Sequence, residues 1–407
     1  YNERQRISSL KYDTMIFMKI AMAADLYWPT INGVATAART LAQGLAERGH
    51  EVMVMAPSQS TKPEIEMDGK VKIVRMRSVS FSFYQNFKIS LTPILEVKKA
   101  LDDFGPDVIH IEMLLLISQS AMRYGQKYNI PLVATNHAMP ENLMDNLRLL
   151  SHVSRPINFV VRMSAARFYE KADIITMPTQ SAIDGFSEAS KVKKPLMPIS
   201  NGINLSEYKQ DKASKELYEK FGIPKNKPIV GHLGRLDAEK HLSVLIEAFS
   251  IVAQDNKDAY LVVVGDGTDA KHLKEYAHAY HISDRVIFTG RVEDEDKINL
   301  HKVFDLYAIT SPVELQSIAT LESMASGNPV VAVDAMALGE LCQNERNGFL
   351  VEQDNPEQMA EAINKILNDS KLKKSFSEES LKIANEHSLD TTLDKYEKIY
   401  FDLVNDK

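Results

Sequence analysis

Residues 311–333 read SPVELQSIATLESMASGNPVVAV. The stretch is framed by two apolar runs with the pattern of buried strands, Phe304–Ile309 (FDLYAI) and Pro329–Val333 (PVVAV). Spacing predicts a helix between them, from about Gln316 to Ser326. Ile318, Leu321 and Ala325 recur at helical intervals, and Gly327 followed by Pro329 closes the segment. Glu322 falls four residues after Ile318 and three before Ala325, so it joins the apolar stripe instead of opposing it. A carboxylate there needs a partner or a solvated crevice, because a lone buried charge is too costly. One reading pairs it with a neighbouring Arg or Lys. The other notes Glu314, eight residues earlier, in a loop leaving a strand. In an open α/β sheet such loops line the ligand crevice. Two carboxylates then flank a helix N-terminus whose N–H groups favour a phosphate.

Working outward, 407 residues suit two domains of about 200. The hydrophobic fraction is 44%, and no window approaches the ~18 uninterrupted apolar residues of a membrane span. A single cysteine, Cys342, excludes an internal disulfide and leaves no cysteine cluster for zinc. A cytoplasmic location is the default expectation. The net charge of −7 argues against nucleic acid as a partner. That total hides a split. Residues 1–200 hold 24 Lys+Arg against 19 Asp+Glu (+5), and residues 201–407 hold the remaining 24 against 36 (−12).

Residues 1–17 read as an extension, with MKIAMAAD from Met18 as the natural start and Ile20–Ala24 as a first strand. Asn32-Gly33 punctuates the next loop, a helix runs to about Arg48, and Val52–Ala56 forms a second strand: a βαβ unit without GxGxxG. Strands at Val71–Met76, Val108–Ile111, Leu132–Asn136 and Ile174–Met177 alternate with helices, which predicts a parallel sheet. His110 and His137 lie at predicted carboxyl ends. After Pro198–Asn204 and a helix at Lys215–Phe221, a second series begins. Its strands are Ile229–His232, Leu261–Val264, Val286–Phe288, Leu306–Ile309, Val330–Val333 and Gly348–Val351.

Gly265-Asp266-Gly267-Thr268-Asp269-Ala270 satisfies GxGxxA after a strand, as a nicotinamide or flavin fingerprint does. It sits on the second strand of its half, and the next strand lacks the acidic residue that would hold an adenosine ribose. Gly234-Arg235-Leu236-Asp237-Ala238-Glu239-Lys240 is more telling, because Arg235 and Lys240 emerge where a strand ends and a helix begins. Two cations there would neutralise a pyrophosphate; solvated surface charges are the alternative. Asp294-Glu295-Asp296 formally matches a metal-binding DxD but precedes a helical stretch, where acidic residues favour the positive end. Capping, with no metal, is the expectation.

Taken together, the Glu314/Glu322 spacing running into MASGNPVVA, the GRLDAEKH at 234–241 and the VGDG at 264–267 resemble the retaining nucleotide-sugar glycosyltransferases of family 4. The resemblance spans roughly residues 18 to 405. It implies the α/β GT-B architecture, two Rossmann-like doubly wound domains facing across a cleft. Residues 18–200 would bind the acceptor and 201–390 the nucleotide sugar, with a helix at about 391–405 packing back on the first domain. By resemblance, Arg235 and Lys240 bind the donor diphosphate and Glu322 holds the ribose hydroxyls. Glu314 grips sugar hydroxyls, and the backbone N–H groups of Ile318 and Ala319 meet the leaving phosphate. The base is held near Arg291. Gly33 belongs to a loop set against diphosphate and acceptor, and His137, in TNHAMPEN, faces the donor sugar. No cofactor and no metal are implied. Departures from the pattern are Asn204 for a common Asp, His241 and Ser317 for frequent glycines, and DAMALGEL (Asp334–Leu341) for a common Gly-Gly loop.

The expected reaction is retaining transfer of a hexose from a nucleotide-diphospho-sugar, UDP favoured, to an acceptor hydroxyl. Two basic, aromatic stretches suit an anionic membrane surface. Val71–Ser90 carries Phe81, Phe83, Tyr84 and Phe87, and Asn142–Ala172 carries Arg148, Arg155 and Arg162. Packing on the chain's own domain, with the charges solvated, is the alternative reading of both stretches. The aromatic-basic loop after the third strand resembles the family members that glycosylate diacylglycerol or other lipids, and that resemblance implies a lipid acceptor, reached by peripheral association with the inner face of the cell membrane, over a soluble sugar. A two-domain NAD(P)-dependent oxidoreductase and a non-catalytic nucleotide-sugar sensor are the competing classes.

Overall fold

The computed structural model describes residues 17–30, 32–81, 87–91, 93–137, 163–190, 192–208 and 213–407. Two compact units emerge. The first comprises residues up to Thr176 with Ala189–Met197 and Lys395–Lys407; the second comprises Met177–Glu188 and Pro198–Asp394.

The first unit is built on strands β1 (Lys19–Ala23), β2 (Glu51–Pro57), β3 (Glu64–Asp68), β4 (Val71–Met76), β5 (Ser78–Phe81), β6 (Phe87–Ser90), β7 (Val108–Ile111), β8 (Leu132–Thr135), β9 (Ile174–Met177) and β10 (Leu196–Pro198). Eight of them form one sheet in the order β10-β9-β8-β7-β1-β2-β4-β3, while β5 and β6 pair as a hairpin. β1 pairs in parallel with β2 on one side and β7 on the other, so the order reverses at β1/β7. The inner strands are near-continuous apolar runs because both faces are covered. β3 is the exception. It runs antiparallel to β4 at the sheet edge, with Ile65 and Met67 exposed. Helix α1 (Gly33–Glu47) follows β1, and the Asn32 side chain caps it by accepting from Ala35 N at 2.8 Å.

Within the basic stretch Val71–Ser90, Arg77 is exposed but Arg75 is internal. Arg75 is 3% exposed and donates to Glu66 at 2.7 Å and to the Trp28 carbonyl at 2.6 Å, so its charge is spent internally. Residues 82–86, and the segment 138–162 that carries Arg148, Arg155 and Arg162, lie outside the described residues.

The second unit holds β11 (Ile229–Leu233), β12 (Tyr260–Val264), β13 (Val286–Gly290), β14 (Leu306–Ile309), β15 (Val330–Val333) and β16 (Gly348–Val351). Every pairing is parallel, in the order β13-β12-β11-β14-β15-β16. Again the order reverses, here at β11/β14. Its two relevant helices are α2 (Asp294–His301) and α3 (Ile318–Ala325). The chain ends in helix α4 (Leu389–Asn405). From Lys395 onward this helix counts with the first unit. Tyr396 and Tyr400 are buried there, and Glu397 accepts from Arg48 at 2.8 Å.

Candidate active site

In a doubly wound sheet, ligands bind outside the carboxyl ends of strands where the order reverses. In the second unit that point lies between β11 and β14, and it is where the Gly234–Lys240 and Ser311–Ser317 loops emerge. Lys240 Nζ donates to Glu314 Oε1 at 2.8 Å, joining the two loops directly. Burial pushes the Glu314 pKa up, but the Lys240 charge more than offsets this and holds it below the ordinary carboxylate range. The Arg235 guanidinium is paired with Asp237 and Glu239. Thr310 Oγ1 donates to the Lys240 carbonyl at 3.0 Å, which fixes the base of the arrangement.

The Ser311–Ser317 loop is braced on its other side within the same unit. Gln316 is 2% exposed; its Nε2 donates to Ser200 Oγ at 2.7 Å and its Oε1 accepts from Asn201 N at 2.9 Å. Thr179 Oγ1 donates to the Leu315 carbonyl at 2.8 Å. The helix expected from Gln316 therefore starts two residues later, at Ile318, because Ser317 takes a left-handed conformation with φ 66°. Ser317 Oγ accepts from Thr320 N, so the N–H groups of Ile318 and Ala319 open the helix at its positive end without an intrahelical acceptor.

Glu322 is 4% exposed. Lys297 Nζ donates to it at 2.6 Å and Tyr208 Oη at 2.8 Å, while His301 Nε2 lies 3.5 Å away. Burial raises its pKa; His301 and the Lys297 ammonium more than reverse that and hold it at about 2. The pairing of Glu322 with a nearby cation is thus a fact of the fold. Glu314 and Glu322 have different partners, yet both fields reach the buried Tyr307 hydroxyl, whose pKa is raised first by burial and then by each carboxylate. Lys297, His301 and Tyr208 went unnoticed in the sequence. Lys297 and His301 share one face of α2 at an i, i+4 spacing, but Tyr208 is 114 residues from Glu322 and carries no local signal.

The GxGxxA stretch has a packing explanation. A Cβ on Gly265 would sit 1.9 Å from the Gly234 carbonyl oxygen, and one on Gly267 would sit 2.4 Å from that of Leu236. These glycines let the β12 loop lie against the GRLD loop, where Thr268 N and Oγ1 both donate to Asp237 Oδ1, at 3.0 and 2.9 Å. Arg291 is exposed just beyond β13. Asp294, Glu295 and Asp296 occupy the first turn of α2, and Asp296 accepts from Lys220 at 2.6 Å. Among the described residues no cluster of His, Cys, Asp and Glu has the arrangement of a metal site.

In the first unit, Gly33 is exposed at the first position of α1, next to the β1/β7 reversal. His137 follows β8, and its Nε2 lies 2.6 Å from Glu112 Oε2 just beyond β7. His110 is a core residue: Nδ1 meets Tyr400 Oη and Nε2 meets Thr135 Oγ1, each at 2.6 Å.

Comparison with known proteins gives a consistent result. The sequence model of "Glycosyltransferase Family 4" matches residues 31–207, and that of "Glycosyl transferases group 1" matches residues 213–382. Alpha-monoglucosyldiacylglycerol synthase of Streptococcus pneumoniae is 28% identical over 339 residues, covering 82% of this chain and 75% of that protein. Among solved structures, sucrose-phosphate synthase of Thermosynechococcus elongatus superposes with a TM-score of 0.78 at 19% identity, covering 96% of this chain and 100% of the other. Anabaena Alr3699/HepE, solved in complex with UDP-glucose, gives 0.68 at 21%, covering 93% and 98%. The fold held in common is GT-B.

Proposed function

The chain belongs to the family 4 and group 1 glycosyltransferases and works on nucleotide-sugar donors, and from that premise we propose that it is a retaining hexosyltransferase using a UDP-sugar and a membrane lipid acceptor. The observation that carries the donor half is the Lys240–Glu314 contact of 2.8 Å at the β11/β14 reversal, with Arg235 on the same loop. Lys240 and Arg235 neutralise the diphosphate; Arg235 exchanges its carboxylate partners for phosphate oxygens, which suit its planar fork equally well. The N–H groups of Ile318 and Ala319 receive the leaving phosphate at the positive end of α3. Charge developing on that phosphate is the main electrostatic problem of the reaction, and these fixed donors answer it without a metal.

Glu314 accepts from hydroxyls of the transferred sugar. Glu322 accepts from the ribose hydroxyls, a task suited to a carboxylate kept ionised by Lys297 and His301. Gly33 lets the backbone approach the diphosphate and acceptor, Arg291 lies by the base, and His137 contacts the transferred sugar. The leaving phosphate takes the acceptor's proton on the face it departs from, so the anomeric configuration is kept.

The lipid acceptor is supported by the glucosyldiacylglycerol named for the pneumococcal relative and by Leu91, Ile94 and Leu95, which are 53%, 60% and 73% exposed in the first unit. Contact with the membrane is read as peripheral; no helix among the described residues is long and apolar enough to cross one. UDP is supported by the donor in the Anabaena complex. Calorimetry against UDP, GDP, ADP and NAD tests this half of the reading. Binding of UDP alone is expected; preference for NAD would remove the reading, and preference for GDP would change the donor. Nucleotide release with diacylglycerol vesicles or soluble sugars then separates the acceptors.

A further inference from the structure

Glu112 has no place in the reaction as derived so far, yet it is one of the most confined charges in the first unit. Its side chain is 1% exposed, and its backbone N donates to the Ala23 carbonyl at 3.0 Å, which ties it to the end of β1. Oε2 lies 2.6 Å from His137 Nε2. Among the described residues Oε1 has no hydrogen-bond partner. The nearest other base is His110, whose Nε2 is 3.6 Å from Oε1. That ring cannot serve the carboxylate, because both its nitrogens are engaged by the hydroxyls of Tyr400 and Thr135. Burial also lowers its pKa and keeps it neutral. His137 is therefore the group that answers the Glu112 charge. The backbone just before it is fixed as well, since Asn136 N donates to the Thr176 carbonyl at 2.9 Å.

We infer that Glu112 is a positioning residue for His137, holding Nε2–H against the carboxylate so that Nδ1 is the atom presented to a hydroxyl of the transferred sugar. The inference rests on the reading above that His137 contacts that sugar. A histidine has two distinct ring nitrogens, and the hydrogen bond made by one decides what the other offers. With Nε2–H committed to Glu112, the neutral ring offers a lone pair at Nδ1 and accepts from a sugar hydroxyl; the imidazolium would donate there instead. Without the carboxylate, the ring is free to turn over or to change tautomer. A substrate hydroxyl then meets the wrong nitrogen in a fraction of molecules.

The test joins a spectroscopic signature to kinetics. In the wild-type protein labelled with ¹⁵N-histidine, the neutral His137 ring is expected to carry its proton on Nε2, with the resonance assigned by its loss in His137→Ala. In Glu112→Gln the two tautomers should mix. Turnover should fall by roughly 10- to 100-fold, the size of loss seen when the orienting partner of a metal-ligating histidine is removed. The double variant should be no slower than His137→Ala alone, because Glu112 acts only through that ring. A wild-type ring protonated on Nδ1 overturns the inference, as does a Glu112→Gln enzyme with undiminished turnover or losses that simply multiply. Should Glu112→Gln fail to fold, the wild-type ring signal still decides. An unimpaired His137→Ala enzyme would overturn the role of His137 itself, and the ring signal would then mark a structural pair.

Discussion

Three left-handed residues lie where the chain departs from the glycines of the family it resembles. Ser317 has φ 66°, His241 has φ 49°, and Met336, within DAMALGEL, has φ 42°. Each holds a non-glycine residue in the left-handed region that glycine favours, at a cost of about 1–3 kcal/mol. At Ser317 two effects compete. Replacement by glycine relieves that strain, whereas exchanging the Ser cap for Gly loses only a few tenths of a kcal/mol. Strain wins. Ser317→Gly should raise stability by about 1 kcal/mol, seen as a melting temperature higher by roughly 2–4 °C; a lower one would contradict the argument.

Glu322 gives a second prediction at the same scale. Its folded pKa of about 2 lies below the ordinary value of 4.5. A depressed carboxylate contributes stability that is complete above the unfolded value and is lost as pH falls from about 4.5 towards 2. The contribution is on the order of 3 kcal/mol. Denaturant unfolding at several acidic pH values should show a steeper loss for wild type than for Glu322→Gln. Parallel curves would mean that the carboxylate is not the source.

At the scale of elements, the proposed donor site rests on the loops after β11 and β14, which the Lys240–Glu314 contact joins. On the proposed reading, Lys240→Ala and Arg235→Ala would each remove a charge-assisted contact to the diphosphate, a loss of roughly 1.5–3 kcal/mol in UDP affinity. Calorimetry checks this, and unchanged affinity in both variants would remove the assignment. Much of this was legible in the sequence. β7, β14 and β15 have the residue limits their apolar runs imply, since inner strands covered on both faces need near-continuous apolar character, and β4 and the edge strand β16 also keep their expected limits. β3 was illegible because EIEMD, at an exposed edge, has no such requirement. The start of α3 was misjudged because helical periodicity continues through Gln316, and only the backbone of Ser317 breaks it. Arg235 and Lys240 stand out because both lie in one short strand-to-helix turn. The partners of Glu322 come from α2 and from the turn before Lys215, and no spacing rule connects segments so far apart in the chain.

For the whole molecule, the charge split of +5 and −12 bears on the acceptor. Each Lys or Arg near an anionic surface adds about 1 kcal/mol, so a few suitably placed ones would hold the enzyme at a membrane reversibly. Co-sedimentation with vesicles should rise with anionic lipid, fall with salt, and weaken when Arg148, Arg155 and Arg162 become Gln. Equal partitioning to neutral and anionic vesicles would favour a soluble acceptor. Chelation with EDTA should leave turnover intact, because the acidic triplet of α2 sits in a helix's first turn; activity lost and then restored by manganese would show a metal in the reaction. The most direct measurement is proton NMR of the product formed from UDP-glucose and diacylglycerol vesicles. The account predicts a glucolipid with the small anomeric coupling of an α-linkage, formed in step with UDP. A β-linked product, or UDP release without any glucolipid, would contradict it.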